Sequence, residues 1–439
     1  MSISGYLTQY EDILTTTVVS HDSYAALRLP EFRFLLIARL LGDGLASQML
    51  AITLGYQVYR LANPTAGEGG NLTQGAYWLG IMGLVEAIPA LSLALLGGHV
   101  ADRHDRRRLV LSTQAVMIVC ALLLGMQTLA GNVLGLWGVF GVIAILGIAR
   151  GFSAPANSAF DPQIVPRELQ MNAASWSSSI WQVGAVAGPL VGGVALGVLG
   201  IANTYIIIAA LILTSLICIS QIKPKPVPKP EAGESIWQSI AVGARYVKGN
   251  QVLVGSMALD LFAVLFGGAM VMLPVFADLL KVDTTGLGLM RAAPSVGALA
   301  VMLWSAKHPP ARNAGRDLLL AVGAFGVCFI VFALSRNLIL TLAMLILSGL
   351  FDGISMVIRG AIVRLMSPEN MRGRIASVSW IFIGASNELG ALESGLAASA
   401  LGVVPSVLAG GMVTLLVVAL TTLLAPKLRT LNLNDHVQA

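Results

Sequence analysis

The chain has 439 residues; 56% are hydrophobic and only 11% charged, with a formal net charge of +5, against ~25% charged residues in ordinary soluble domains. A water-facing surface needs more charge than this, so a string of soluble domains is excluded. Collagen, disorder and a disulfide scaffold are excluded too: the 47 Gly are aperiodic, charge density is low, and the 3 Cys (Cys120, Cys218, Cys328) lie in apolar runs where they read as core packing. What remains is an all-α polytopic membrane protein.

In chain order, residues 1–27 form a polar, acidic extension (Glu11, Asp12, Asp22) without a basic leader or cleavage site, so no signal peptide is expected. Its Tyr6–Leu14 stretch reads either as an interfacial helix or as disorder. A helix crossing a ~30 Å hydrocarbon layer needs ~20 mostly apolar residues. Six such spans are predicted over 34–60, 77–98, 109–129, 133–153, 173–199 and 202–221, forming an N-terminal six-helix bundle over 28–221. Residues 222–235 alternate Lys and Pro, which favours an extended spacer, and open a cytoplasmic linker over 222–249. Six further spans follow at 252–276, 287–305, 317–335, 338–363, 375–401 and 404–425, in a C-terminal bundle over 250–425, before a tail over 426–439.

With the N-terminus in the cytoplasm, the inside segments hold twenty Lys and Arg and the outside segments three (Arg60, Lys281, Arg336). That asymmetry predicts both termini on the cytoplasmic side of the membrane. The positive charge therefore reports orientation, and no nucleic-acid partner is expected. The halves echo each other. Gly147 and Gly151 match Gly349 and Gly353, and Arg150 matches Asp352, at an offset of 202; Pro166 and Ala174-Ser175 have counterparts in Pro368 and Ala376-Ser377. Duplicated halves are an arrangement found in secondary transporters.

The loop after the second span runs from Gly98 through Asp102, Arg103 and Asp105 to Arg106, Arg107 and Arg108. A carboxylate beside a cationic cluster at helix ends reads either as an orienting positive loop or as a latch joining helices in one conformation. It resembles the G-x-x-x-D-R-x-G-R-R signature of the major facilitator superfamily, with Asp105 where the family has Gly. In the fifth span, Gly184, Gly188, Pro189, Gly192 and Gly193 allow close helix approach and a bend. That pattern is similar to the G-x-x-x-G-P-x-x-G-G motif of the superfamily's exporters. The stretch 32–50, YQVY at 56–59, LPVFADLL at 273–280 and MRGRIASVSW at 371–380 resemble the enterobactin-exporter and macrolide-efflux branch. The resemblance implies the major facilitator fold over roughly 28–425 and an export function.

A charge within a span is costly, so each one calls for an explanation. Arg39 and Asp43 are i,i+4 and can pair, as a structural couple or with Asp43 as a protonatable acid. Arg150 and Asp352, repeat mates, are expected to face one central cavity, Arg150 holding an anion or tuning a carboxylate; an ion pair between bundles is the alternative. Asp352 and Arg359 share a helix face. Asp260, Glu388 and Glu393 are further proton-coupling candidates, and Glu86 is a weaker one. Glu388 and Glu393 lie about 140° apart on a helix, so at most one lines a given face. Trp176 and Trp181 read as packing residues or as a stacking platform for a planar substrate. Trp137, Trp304 and Trp380 read as interface markers.

No Walker loop, H-E-x-x-H motif or paired Cys or His ligand set is present, so neither an enzyme nor a metal or cofactor is expected. The sequence predicts a proton-coupled exporter of a hydrophobic or amphipathic small molecule, siderophore or drug-like, acting as a monomer in the bilayer. A metal-ion exporter, or a receptor or scaffold of the same fold, is the alternative.

Overall fold

The computed structural model describes residues 22–64, 71–226, 236–267, 269–305, 307, 313–368 and 371–433. They form helices and, among the described residues, no strand. The spans are α1 (Pro30–Ala62), α2 (Leu72–Arg103), α3 (Arg106–Leu129), α4 (Gly135–Phe160), α5 (170–199) and α6 (201–220). The second half holds α7 (Gln251–Leu279), α8 (Thr284–Ser305), α9 (Ala314–Leu334), α10 (Leu338–Met366), α11 (Arg372–Leu401) and α12 (Val403–Leu424). Ten described stretches are long and apolar enough to cross a membrane. One of these is the continuous Gln170–Ser220 helix, which Gly200 breaks into α5 and α6 (φ 78°, ψ 172°). The 30-residue α11, about 45 Å long at 1.5 Å per residue, packs on α2, α7 and α12 and completes twelve.

Local chemistry sets the helix starts. Pro30 begins α1, where its missing N–H costs nothing. Asn71, Asp105 and Asn337 accept backbone N–H groups in the first turns of α2, α3 and α10. The fourth span runs beyond its predicted end at 153, to Phe160 and a turn at Asp161–Gln163. The seventh is interrupted: a 3-10 turn at Ala269–Met272 separates Gln251–Gly267 from Leu273–Leu279. Pro274, in the first turn of the restarted piece, has no N–H with which to continue the preceding helix. Within the expected linker, 227–235 lie outside the described residues, whereas Ile236–Gly249 is a helix that packs on α11. Of the expected N-terminal extension and tail, 1–21 and 434–439 lie outside the described residues. Ala26 N–H donates to Asn172 Oδ1 (3.1 Å), and Trp176 Nε1 donates to Ser23 O (3.0 Å), holding the start of the described chain against α5.

The repeat is visible atom by atom. A Cβ at Gly147 would meet Glu86 O, and one at Gly349 would meet Pro294 O. Gly151 lies against Ala90, and Gly353 against Ala298. Thus α4 rides on α2 as α10 rides on α8, with α2 and α8 in register at an offset of 208. Gly200 and Gly402 (φ 90°), 202 apart, make the two turns α5–α6 and α11–α12.

The halves meet through two further glycine pairs. Gly193 of α5 lies against Gly288 of α8, and Gly80 of α2 against Gly395 of α11. The same offsets, 202 and 208, exchange one pair for the other. Both lie toward the face opposite the two ends of the described chain. There the core is continuous across the halves, with Met49, Leu79 and Leu124 sharing it with Phe276, Phe329 and Leu345. Toward the terminal face it divides: Phe32, Phe160 and Ile219 pack within the first half, Leu253, Leu318 and Leu428 within the second.

Candidate transport cavity

Where the shared core ends, a cavity of about 470 Å³ lies between the halves. Both halves line it: Gln48 of α1, Glu86 of α2 and Arg150 of α4 from the first, Arg291 of α8, Asp352 of α10 and Asn387 of α11 from the second. The wall is otherwise largely apolar, including Phe325 and Phe329 of α9, whose ring centroids are 4.8 Å apart.

Arg150 Nη1 reaches Glu86 Oε1 at 2.5 Å. The close α2–α4 approach at Gly147 makes this pair possible. Arg150 and Asp352 both line the cavity, but Arg150 takes its carboxylate from its own half; no ion pair between the bundles forms at Arg150 among the described residues. In the second half, the counterpart of Glu86 is Pro294, so Asp352 has no such mate on α8. It lies 3.9 Å from Arg359 Nη2. Arg359 is also ion-paired directly to Asp260 and donates from Nε to Ser355 Oγ (3.1 Å). One guanidinium thus serves two carboxylates. The Asp260 side chain is only 8% exposed, that of Asp352 39%.

Arg39 and Asp43 do not line this cavity. They lie in a π-helical segment of α1, Arg39–Ala46, a distortion frequent at functional positions. Arg39 Nη1 contacts Asp43 Oδ2 (2.7 Å), and Nη2 contacts Asp161 Oδ1 at the end of α4 (2.5 Å). Asp161 went unnoticed in the sequence because span four was expected to end at 153. Glu393 is half-buried on α11 and is not among the cavity-lining residues; the side chain of Glu388 lies outside the described residues. Arg291 was not singled out either, although an Arg in an apolar run with no acid three or four residues away is a readable signal. Neither Trp176 nor Trp181 is among the cavity-lining residues: Trp176 is tied to Ser23, and Trp181, 55% exposed, lies one helical turn before the cavity-lining Ala185. Trp137 and Trp304 are exposed near span ends, and the Trp380 side chain is outside the described residues.

The cationic loop works chiefly through backbone acceptors. Arg106 donates to Ala101 O and Ala159 O, Arg107 to Ile219 O and Ser220 O, tying α2, α3, α4 and α6 together at the terminal face. Asp102 is 65% exposed and reaches Arg106 only at 3.5 Å. Arg103 is exposed. Asp105 takes the N-cap of α3, accepting from Arg107 N and Arg108 N, which accounts for a side chain at that position. A Cβ on Gly98 would meet nothing within 4 Å; the tight contact belongs to Gly97, against Gly151 O of α4.

The α5 glycines divide between two neighbours. Gly184, Gly188 and Gly192 lie along α1, against Gly44, Gln48 and Met49, while Gly193 faces α8 across the interface. Pro189, inside the helix, leaves the carbonyl of Ala185 without its usual backbone donor, and Ala185 lines the cavity. Beside it, Gln182 Nε2 donates to Ser295 O of α8 (2.7 Å).

The family model of the Major Facilitator Superfamily matches residues 44–390. The chain belongs to the Major Facilitator Superfamily. It is 27% identical over 356 residues to the enterobactin exporter EntS of Escherichia coli O1:K1 / APEC, covering 79% of this chain and 80% of that protein. Among solved structures it is similar to a bacterial homologue of the iron transporter ferroportin in an inward-facing state (TM-score 0.68, 18% identity, 93% of this chain and 100% of that one). It is also similar to a POT family transporter in complex with 5-aminolevulinic acid (TM-score 0.68, 10% identity, 90% and 96%). These structural likenesses concern the fold. Superfamily membership makes the chain a multi-pass membrane transporter rather than an enzyme.

Proposed function

We propose that this chain is a proton-coupled exporter of a small amphipathic molecule, siderophore or drug-like, working by alternating access. The observation that carries this reading is the cavity itself: it lies between two repeated halves, behind a core that is continuous on one side only, and its wall holds Glu86, Arg150 and Asp352. Rocking the halves about this point would expose the same wall to each side in turn. The divided side carries both ends of the described chain, Asp22 and Leu433, and the Lys and Arg asymmetry of the sequence supports reading it as the cytoplasmic side of a bacterial-type inner membrane, with the cavity loaded from within. Similarity to an enterobactin exporter supports the outward direction and the siderophore-like class.

Asp352 is the proposed proton site. It faces the cavity and shares Arg359 with Asp260, so a cation or proton arriving there neutralises a carboxylate that the protein compensates only in part. A metal cargo is less well supported, because no group of three or more His, Cys, Asp or Glu able to hold a metal ion occurs among the described residues.

Everted vesicles containing the protein, energised so that their lumen acidifies, are expected to lose part of the pH gradient on addition of a transported siderophore or dye. Asp352→Asn should abolish that response while retaining ligand binding. Equal transport driven by a sodium gradient, with the pH gradient collapsed, would overturn the coupling.

A further inference from the structure

Arg39, Arg150, Arg291 and Arg359 lie away from the span ends, and three of these four are neutralised by carboxylates among the described residues. Arg39 pairs with Asp43 and Asp161, Arg150 with Glu86, and Arg359 with Asp260. Arg291 has no carboxylate within 4.0 Å among the described residues. Its one hydrogen bond there is long: Nη1 donates to Met270 O at 3.4 Å, in the turn that interrupts α7. A guanidinium carries five N–H donors, and this contact uses one. The side chain lines the cavity.

The repeat sharpens the point. At the offset that relates α2 to α8, the counterpart of Arg291 is Gly83, which lines the same cavity. The scaffold therefore accepts a residue without a side chain at this position. The positive charge is confined to the second half, on a helix that reaches the interface at Gly288. Phe325 and Phe329 complete the same wall with an aromatic surface.

We propose that Arg291 is the recognition residue for the transported molecule, binding an oxyanion of the carboxylate or phenolate class while an apolar or aromatic body rests against Phe325 and Phe329. A planar guanidinium suits a carboxylate because it can present two parallel N–H groups to it. The assignment rests on the cavity being the solute site, and it narrows the substrate class to amphipathic anions.

The test needs no transport. In full-length protein with Cys120→Ala, Cys218→Ala and Cys328→Ala, a single reporter Ser295→Cys is placed one helical turn from Arg291 on the cavity wall. Its labelling rate is compared for an anionic sulfonatoethyl and a cationic trimethylammonioethyl methanethiosulfonate. The anionic-to-cationic ratio should fall about tenfold or more on Arg291→Gln and hold in Arg291→Lys. 2-Naphthoate should slow labelling with Arg291 present, and 2-naphthamide of the same shape should not. An unchanged ratio in Arg291→Gln, equal protection by acid and amide, or protection by neither overturns the proposal. If Arg291→Gln does not fold, the acid–amide comparison in the Arg291 protein still decides. Loss of proton-linked transport with this selectivity intact would instead count against the coupled-exporter reading alone.

Discussion

Arg359 is the side chain on which the second half's charge balance turns. Its neighbours Asp260 and Asp352 bring two negative charges to one guanidinium, and Asp260 and Arg359 are 8% and 13% exposed. Removing one partner of a buried pair leaves a charge without compensation and costs about 3–5 kcal/mol, whereas removing both is far less damaging. Arg359→Met is therefore expected to lower the thermal unfolding midpoint and the yield of folded protein sharply. Adding Asp260→Asn to that variant should restore a substantial part, because one of the two stranded carboxylates is then neutral. A double-mutant cycle on the purified protein measures this; additive losses would show that the pair is not coupled. Glu86 and Arg150 make the milder contrast. Arg150 is 36% exposed into the cavity, so water there offsets the loss of its partner.

At the scale of helices, the fold depends on where backbones touch. Gly97 immediately precedes Gly98, the first residue of the loop signature, but the two differ completely in surroundings. A Cβ at Gly97 would come within 2.3 Å of Gly151 O, while one at Gly98 meets open space. Gly98→Ala should be tolerated or slightly stabilising, since Ala is about 1 kcal/mol better than Gly within a helix. Gly97→Ala must push α2 from α4, the contact that also sets the Glu86–Arg150 pair, and should lower both stability and transport. Thermal unfolding and vesicle transport of the two variants check this. The pair also shows what a sequence can and cannot tell. Twelve spans and the repeat offset at Gly147–Gly349 were legible because hydropathy and spacing follow the chain. Which of two adjacent glycines bears the contact was not, because the partner carbonyl at Gly151 lies 54 residues away. For the same reason the sequence marked Arg39–Asp43 as a local couple but missed Asp161. It marked Arg150 and Asp352 but gave Arg150 no partner from α2. The break in α7 was readable at Gly267-Gly268 and Pro274, but the apolar stretch around them reads as one span.

At the scale of the whole molecule, the proposed alternating access requires an interface that closes and reopens, and the repeat makes a quantitative demand on it. Gly193–Gly288 and Gly80–Gly395 exchange under the repeat's own offsets. In each pair a Cβ on one glycine would sit between 2.6 and 3.0 Å from the Cα of the other. A side chain on either cannot fit while the far side is closed, and a packed core yields by switching arrangement rather than by stretching. Gly193→Val and Gly395→Val should therefore each shift the population toward the far-side-open conformation, and by similar amounts, although they lie 202 residues apart. The reporter is Ala398→Cys, at a position on α11 that is fully buried in the shared core. Introduced with the three native cysteines replaced, it should react slowly with a membrane-impermeant maleimide in the otherwise unchanged chain. It should react about tenfold faster or more in either Val variant, a shift of ~1.4 kcal/mol. Acceleration by only one of the two would mean that the interfaces α5–α8 and α2–α11 open independently. Acceleration by neither would mean that the glycines serve packing within one conformation, and that closure is governed elsewhere, with the Tyr59–Asp278 hydrogen bond (2.7 Å) between α1 and α7 the next contact to test.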